Sequence, residues 1–235
     1  MYKTKLRPAI AMIELIFSLV IMGIVLMSAP MLISTASKSS YVATQQEAIN
    51  EGAAQLNMIL SYHWDEQDTN ESYPDPLLIV SSTTTDLNVS GHTGRRKGTP
   101  KESFRSFVRE DGVQNLPATS ALGKEGTLIN DIDDVHNTTI NLILSGTDKA
   151  GNVDTNISVL REVVYMNDDT TSSGGYNKPS ITYDPLTVSI SSTNIKAVVV
   201  TLTSNSGADE LERKIVLAAF TCNIGRYKLE EKVMP

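Results

Sequence analysis

The chain has 235 residues, 27 of them acidic and 20 basic, for a formal net charge of −7. That acidity repels nucleic acid and sets aside a nucleic-acid partner, while the single cysteine, Cys222, excludes an internal disulfide and leaves the redox compartment undefined. Hydrophobic residues make up 40% of the chain and aromatic residues 6%; the apolar content concentrates at the N-terminus, and the Thr/Ser/Asn/Asp-rich remainder suits short strands and long loops.

Residues 1–9, MYKTKLRPA, are short, polar and basic. Lys3, Lys5 and Arg7 precede Ala9, and every acidic residue follows Pro8. Losing this leader would leave 17 basic residues (20 less 3) against 27 acidic, a net charge of −10. Residues 10–33 are almost wholly apolar, and the 19 residues 15–33 carry no charge. As a helix rising about 1.5 Å per residue they reach roughly 28 Å, close to the hydrocarbon thickness of a bilayer, about 30 Å. The three positive charges ahead of this span orient the leader to the cytoplasm and the remaining chain outward.

A secretory signal carries its small-residue cleavage motif after the apolar run. Here Ala29 is followed by Met31, Leu32 and Ile33, whereas Ala9 stands before the run. A cut after Ala9 would keep the whole hydrophobic segment on the mature chain as an anchor. Glu14 lies inside that segment. A carboxylate at the bilayer centre costs about 2.5–3.5 kcal/mol, less near the edge, and such residues are usually paired and functional. A cut between Ala9 and Ile10 would make Glu14 the fifth residue and place a free amine one helical turn away, on the same chain or on a neighbour. The competing reading is a glutamate snorkelling to the headgroups. These residues taken alone leave both open.

The stretch Ala9-Ile10-Ala11-Met12-Ile13-Glu14-Leu15-Ile16 resembles the type IV prepilin cleavage and methylation signature, and the resemblance extends through Gly23 and Pro30, about 25 residues in all. Members of that family carry a small residue before the cut, a hydrophobic first residue after it, and Glu at the fifth position. Ala9 and Ile10 stand here for the commoner Gly and Phe. The resemblance implies that a prepilin peptidase cuts between Ala9 and Ile10 and methylates Ile10. Glu14 would then pair with the terminus of an adjacent subunit, and Gly23 and Pro30 would loosen the helix. The implied partners are other pilin subunits, the prepilin peptidase, an inner-membrane assembly platform and the membrane itself. The implied location is a single pass through the inner membrane with a periplasmic head, followed by a pilus or pseudopilus.

Beyond the span, Val42, Ile49, Ala53, Leu56 and Ile59 or Leu60 recur at helical spacing and predict an amphipathic helix over 34–62. Residues 77–80 read as a short buried strand and 81–102 as a surface loop. Phe104, Phe107 and Val108 suggest a small helix or strand. Strands are expected at 139–144, 157–166, 186–190, 195–203 and 213–221, the last two forming a hairpin around Gly207. No βαβ alternation occurs, so a parallel sheet is set aside. The expected fold class is α+β, a long N-terminal helix packed on a C-terminal antiparallel sheet. The expected divisions are a leader (1–9), a membrane or filament-core helix (10–33), its amphipathic continuation (34–62) and a β-rich head (63–235).

Two further segments, Ser61-Tyr62-His63-Trp64-Asp65-Glu66 and Asn130-Asp131-Ile132-Asp133-Asp134-Val135-His136-Asn137, look like parts of minor pilins of the mannose-sensitive haemagglutinin type. That resemblance favours a minor pilin over a major one.

Asp131, Asp133, Asp134 and His136 offer ligands for a cation such as Ca²⁺. The EF-hand spacing, its Gly and zinc-site spacing are absent, so the stretch reads as a solvated acidic turn and no metal is expected. Residues 148–154 read as a hairpin turn by the same argument. His63, His92 and His136 are scattered, with no Ser or Cys placed beside a His and an acid. Gly91 to Gly94 lacks phosphate-loop spacing. Arg95, Arg96, Lys97 and Lys101 read as a solvated loop, and Cys222, in an apolar run, as a buried small hydrophobe. The expectation is a non-enzymatic, cofactor-free structural subunit, a minor pilin or pseudopilin. The alternatives are a type II secretion pseudopilin and, in another class, a signal-anchored periplasmic binding module or enzyme.

Overall fold

A computed structural model describes residues 8–80, 82–89, 94–144, 155–168, 176, 179–180, 187–204 and 214–229. The long helix α1 (Pro8–Leu60) joins the two expected helical stretches into one element. It continues through Pro30, whose missing N–H removes one bond from the ladder. On either side, Ser28 Oγ donates to the Val25 carbonyl at 2.9 Å and Thr35 Oγ1 to the Met31 carbonyl at 2.8 Å. These back-bonds satisfy the hydroxyls within an otherwise apolar stretch.

The chain divides into two compact units after Ala48. In the first, every described side chain from Ala11 to Ser39 is exposed, and the helix is long and apolar enough to cross a membrane.

The second unit is built on antiparallel strands. Two short strands, β1 (Ser103–Phe104) and β6 (Lys228–Leu229), pair with each other. The main sheet comprises β2 (Thr138–Leu144), β3 (Thr155–Tyr165), β4 (Ile195–Ser204) and β5 (Lys214–Cys222), in the order β2-β3-β4-β5. Each of these four strands lies within two residues of its predicted position, because β-branched runs bounded by turn residues mark them clearly. The loop around Gly207 and the turn at 148–154 lie outside the described residues.

Register sets what each face carries. Val163 pairs with Val198 and Val198 with Ala219; Val159 pairs with Leu202 and Leu202 with Ile215. With the period of two, Val159, Val163, Val198, Val200 and Leu202 share one buried face. The last turns of α1 lie against it at Gly52, where an added Cβ would stand 2.7 Å from Leu202 Cδ1 and 2.9 Å from Leu217 Cδ1. The opposite face carries a smaller cluster, Met166, Ile195 and Ala197, with Val164 and Cys222 packed against it.

Several expectations change. The predicted apolar stripe places Ile49 inward, but it is exposed, while Ile59 of the stripe and Gly52 outside it are buried. Close approach of helix and sheet favours absence of a side chain there, which a search for apolar bulk does not detect. Residues 77–80 form no regular strand. Leu77 and Leu78 are buried, yet Leu77 N–H donates to the Ser106 carbonyl and Ile79 N–H to the Leu116 carbonyl, so their bonds go to separate segments. Pro76 and Pro117 beside these bonds lack the N–H groups a ladder needs. Residues Ser82–Leu87 are a 3-10 helix, not plain loop. In 186–190, the described part makes only an isolated bridge, Val188 to Met166.

The tight approach at Gly52 makes a specific prediction. Gly52→Leu should destabilise the protein by about 1–3 kcal/mol through overpacking, whereas Gly23→Ala, with open space around it, should change stability by no more than about 1 kcal/mol. Chemical denaturation of the detergent-solubilised full chain measures both.

Candidate functional site

The residues singled out for processing and assembly fall at the start of α1. Ala9, Ile10 and Glu14 lie in its first two turns, and a four-residue separation places Ile10 and Glu14 on one helical face. Glu14 is exposed, and its neighbours Ile13, Leu15 and Phe17 are exposed hydrophobics.

A second constellation occupies the interior of the other unit. Lys196 stands on β4 two residues before Val198, so register turns it into the core, and it is fully buried. Its ammonium has three protons and three acceptors: the Trp64 carbonyl at 2.8 Å, Asp65 Oδ2 at 3.2 Å, and Asp133 Oδ1, its shortest contact. The Trp64 ring centroid lies 4.4 Å from Nζ and the Tyr165 ring centroid 5.5 Å away. The two rings meet edge-on at 6.5 Å. Cation–π attraction of this kind strengthens when water is excluded.

The carboxylates are held in turn. Asp65 caps the 3-10 turn Glu66–Asp68 by accepting from Gln67 N–H at 3.3 Å, and accepts from Thr119 N–H at 3.1 Å and Thr119 Oγ1 at 2.8 Å. The Tyr165 hydroxyl donates to the Thr119 carbonyl at 2.8 Å. Asp131 Oδ1 accepts from the N–H groups of Asp133 and Asp134, both at 3.0 Å. Asp134 Oδ2 accepts from Asn130 N–H at 2.8 Å and Asp131 N–H at 3.3 Å. The Ile132 N–H donates to the His63 carbonyl at 2.9 Å and so ties the two acidic segments together.

Asp131, Asp133 and Asp134 are therefore buried, not a solvated turn. The local sequence is polar, but its charges face Lys196 and its own backbone. His136 is likewise engaged, its Nδ1 accepting from Val163 N–H at 3.1 Å. Asp133 is held by Lys196 through Oδ1 and Asp134 by backbone N–H groups, while Asp131 and Asp133 each keep an Oδ2 without a hydrogen-bond partner. The basic loop also differs from expectation. Arg95 and Arg96 are half-buried, Arg95 Nη1 donates to the Thr99 carbonyl at 3.2 Å, and both form bridges, to Ser106 and Asn88.

Electrostatics follow from desolvation and neighbours. Burial pulls the Lys196 ammonium down, but Asp133 and Asp65 outweigh it and hold the group above the ordinary lysine value. Burial pushes Asp133 up even against Lys196. Burial, then the Asp133 charge, brings Asp131 to about 7. Burial, then Asp75 and Asp65, brings Asp68 to about 8. A lysine that is protonated and saturated with acceptors has no lone pair for nucleophilic or base chemistry. The cluster holds segments together.

Strand patterning finds β4 but does not single out Lys196. The available signal is that a lysine alternating with Val198, Val200 and Leu202 on one face must be buried and hence must meet an acid. Compared with known proteins, the chain matches no family model, no curated protein and no solved structure.

Removing the cation leaves Asp65 and Asp133 buried and uncompensated, so Lys196→Met should cost about 3–5 kcal/mol. Lys214→Met, on the exposed end of β5, should stay within about 0.5 kcal/mol. Denaturant unfolding of both variants checks the difference. Native Asp68 keeps a proton up to about pH 8 that the unfolded chain releases near pH 3.8. The folded state therefore binds more protons in between, and stability should fall as pH rises from about 4 to about 8. Asp68→Asn should flatten that slope in thermal melts recorded in metal-free buffer.

Proposed function

We propose that this chain is a structural subunit of a type IV pilus-like filament, non-enzymatic, and held in the membrane by the first part of α1 before assembly. The observation that carries the reading is the placement of Glu14. It is an acid inside a membrane-length apolar helix, on one face with Ile10 and five positions past Ala9. In this reading a prepilin peptidase cuts between Ala9 and Ile10 and methylates the new amine. That amine, on a neighbouring subunit, then neutralises Glu14. An acid buried among lipid or apolar helices needs such a partner.

Fibre formation would exchange lipid contacts for van der Waals contacts between helices. The exposed side chains of residues 11–39 supply the required surface. Gly23, where an added Cβ would meet nothing within 4 Å, and Pro30 would let the helix adjust to its neighbours. The head would lie in the periplasm first and on the fibre surface afterwards. The sequence barely separates a minor pilin of a surface pilus from a pseudopilin of type II secretion, and the reading covers both.

Mass spectrometry of the N-terminal peptide tests the reading in cells that carry a prepilin peptidase. The expected peptide begins at Ile10 and carries one extra methyl group; an intact Met1-Tyr2-Lys3 terminus contradicts it. Glu14→Ala should leave the protein in the membrane fraction but reduce its recovery in sheared fibres at least tenfold. Fibre recovery equal to the parent would show that the pairing is not needed.

A further inference from the structure

Beside the lysine cluster lies a group of acids that Lys196 does not reach. Carboxylate oxygens of Glu66, Glu125 and Asp131 all lie within 4.8 Å of one another. The three come from separate parts of the chain: the 3-10 turn after α1, the irregular segment before β2, and the turn leading into β2. None of the ion pairs His63–Asp75, Arg109–Asp111, Arg226–Asp75 and the two of Lys196 includes these acids.

Asp131 supplies the second observation. It is 0% exposed, and its Oδ1 is held by two backbone N–H groups while its Oδ2 has no hydrogen-bond partner. Leaving a buried carboxylate oxygen unsatisfied costs free energy that a ligand would recover. Oδ2 is the oxygen left for Glu66 and Glu125. Glu66 is itself positioned, its Oε2 accepting from Asn130 Nδ2 at 3.2 Å. Glu125 is exposed and open to water.

The donor set selects among cations. Ca²⁺ accepts six to eight oxygen ligands in flexible geometry, whereas Mg²⁺ demands a near-ideal octahedron and keeps several of its waters. Three carboxylates brought from separate segments, with one arm in solvent, suit Ca²⁺ with waters completing its six to eight ligands. We infer that Glu66, Glu125 and Asp131 form a calcium site that fastens the irregular segment before β2 to the end of α1. The inference concerns the globular unit's own residues and stands whether or not the chain assembles into fibres.

The test uses the full chain in detergent micelles, stripped with EDTA. Trp64, the single tryptophan, lies two residues from Glu66 and serves as donor for Tb³⁺, a luminescent calcium mimic. Excitation through Trp64 should give a saturable Tb³⁺ signal that CaCl₂ displaces with a Kd of about 10⁻⁵–10⁻³ M, and MgCl₂ at least tenfold more weakly. At ten times that Kd, CaCl₂ should raise the folding equilibrium constant about elevenfold, visible as a higher melting temperature. Glu125→Gln, at an exposed position, should melt like the parent in EDTA and bind at least tenfold more weakly. The control Glu110→Gln should bind like the parent, and Glu66→Gln provides an independent second arm. No saturable signal, equal displacement by MgCl₂, or unchanged binding in both Glu125→Gln and Glu66→Gln would overturn the inference.

Discussion

A single ammonium group sealed from water organises the globular unit. Desolvating Lys196 is expensive, and only close, well-placed acceptors offset the cost. They come from places far apart in the chain. Trp64 and Asp65 follow α1, Asp133 precedes β2, and Lys196 itself is on β4, with Tyr165 on the neighbouring β3. Satisfying one cation therefore fixes where the helix ends, how the acidic turn enters the sheet, and where Thr119 must stand to donate to Asp65. Hydrophobic burial of Val159, Val163, Val198, Val200 and Leu202 drives the collapse of this unit. Apolar contact is non-directional, so the polar cluster is what specifies one arrangement of the connections.

The charge balance in that interior is uneven. Asp65, Asp68, Asp131, Asp133 and Asp134 are all buried, and Lys196 is the buried cation that meets two of them. Backbone N–H groups hold Asp134 and one oxygen of Asp131. The remaining excess is expressed as protonation, with Asp68 at about 8 and Asp131 at about 7. A region built this way responds to protons and to cations, because either one removes the same repulsion.

The first part of α1 obeys different physics. Its side chains from residue 11 to residue 39 are exposed, among them Leu26, Met27 and Met31. A continuous apolar surface of that size is not stable in water and calls for lipid or other apolar helices. Glu14 within it has no comparable solution in apolar surroundings unless a positive group is supplied. The same rule governs both units: a charge removed from water needs a partner. In the globular unit the partners are already assembled within the chain.

Local patterns made much of this legible in advance. The apolar run at 10–33 and the β-branched runs at 139–144, 157–166, 195–203 and 213–221 each declare their element within a few residues, and α1 and β2 to β5 follow them. The two acidic segments at 61–66 and 130–137 stood out as sequences, but nothing in either one says that they meet. Lys196 was hidden inside a strand signal, Gly52 inside a helix signal, and the acids at 131–134 read as solvated because their immediate neighbours are polar. The sequence by itself determined which residues become helix, strand and candidate span, since those depend on spacing over a few positions. Only the tertiary structure decided which charges lose water and which partners they find, because burial arises from register and packing between distant segments, Lys196 and Trp64 being 132 residues apart.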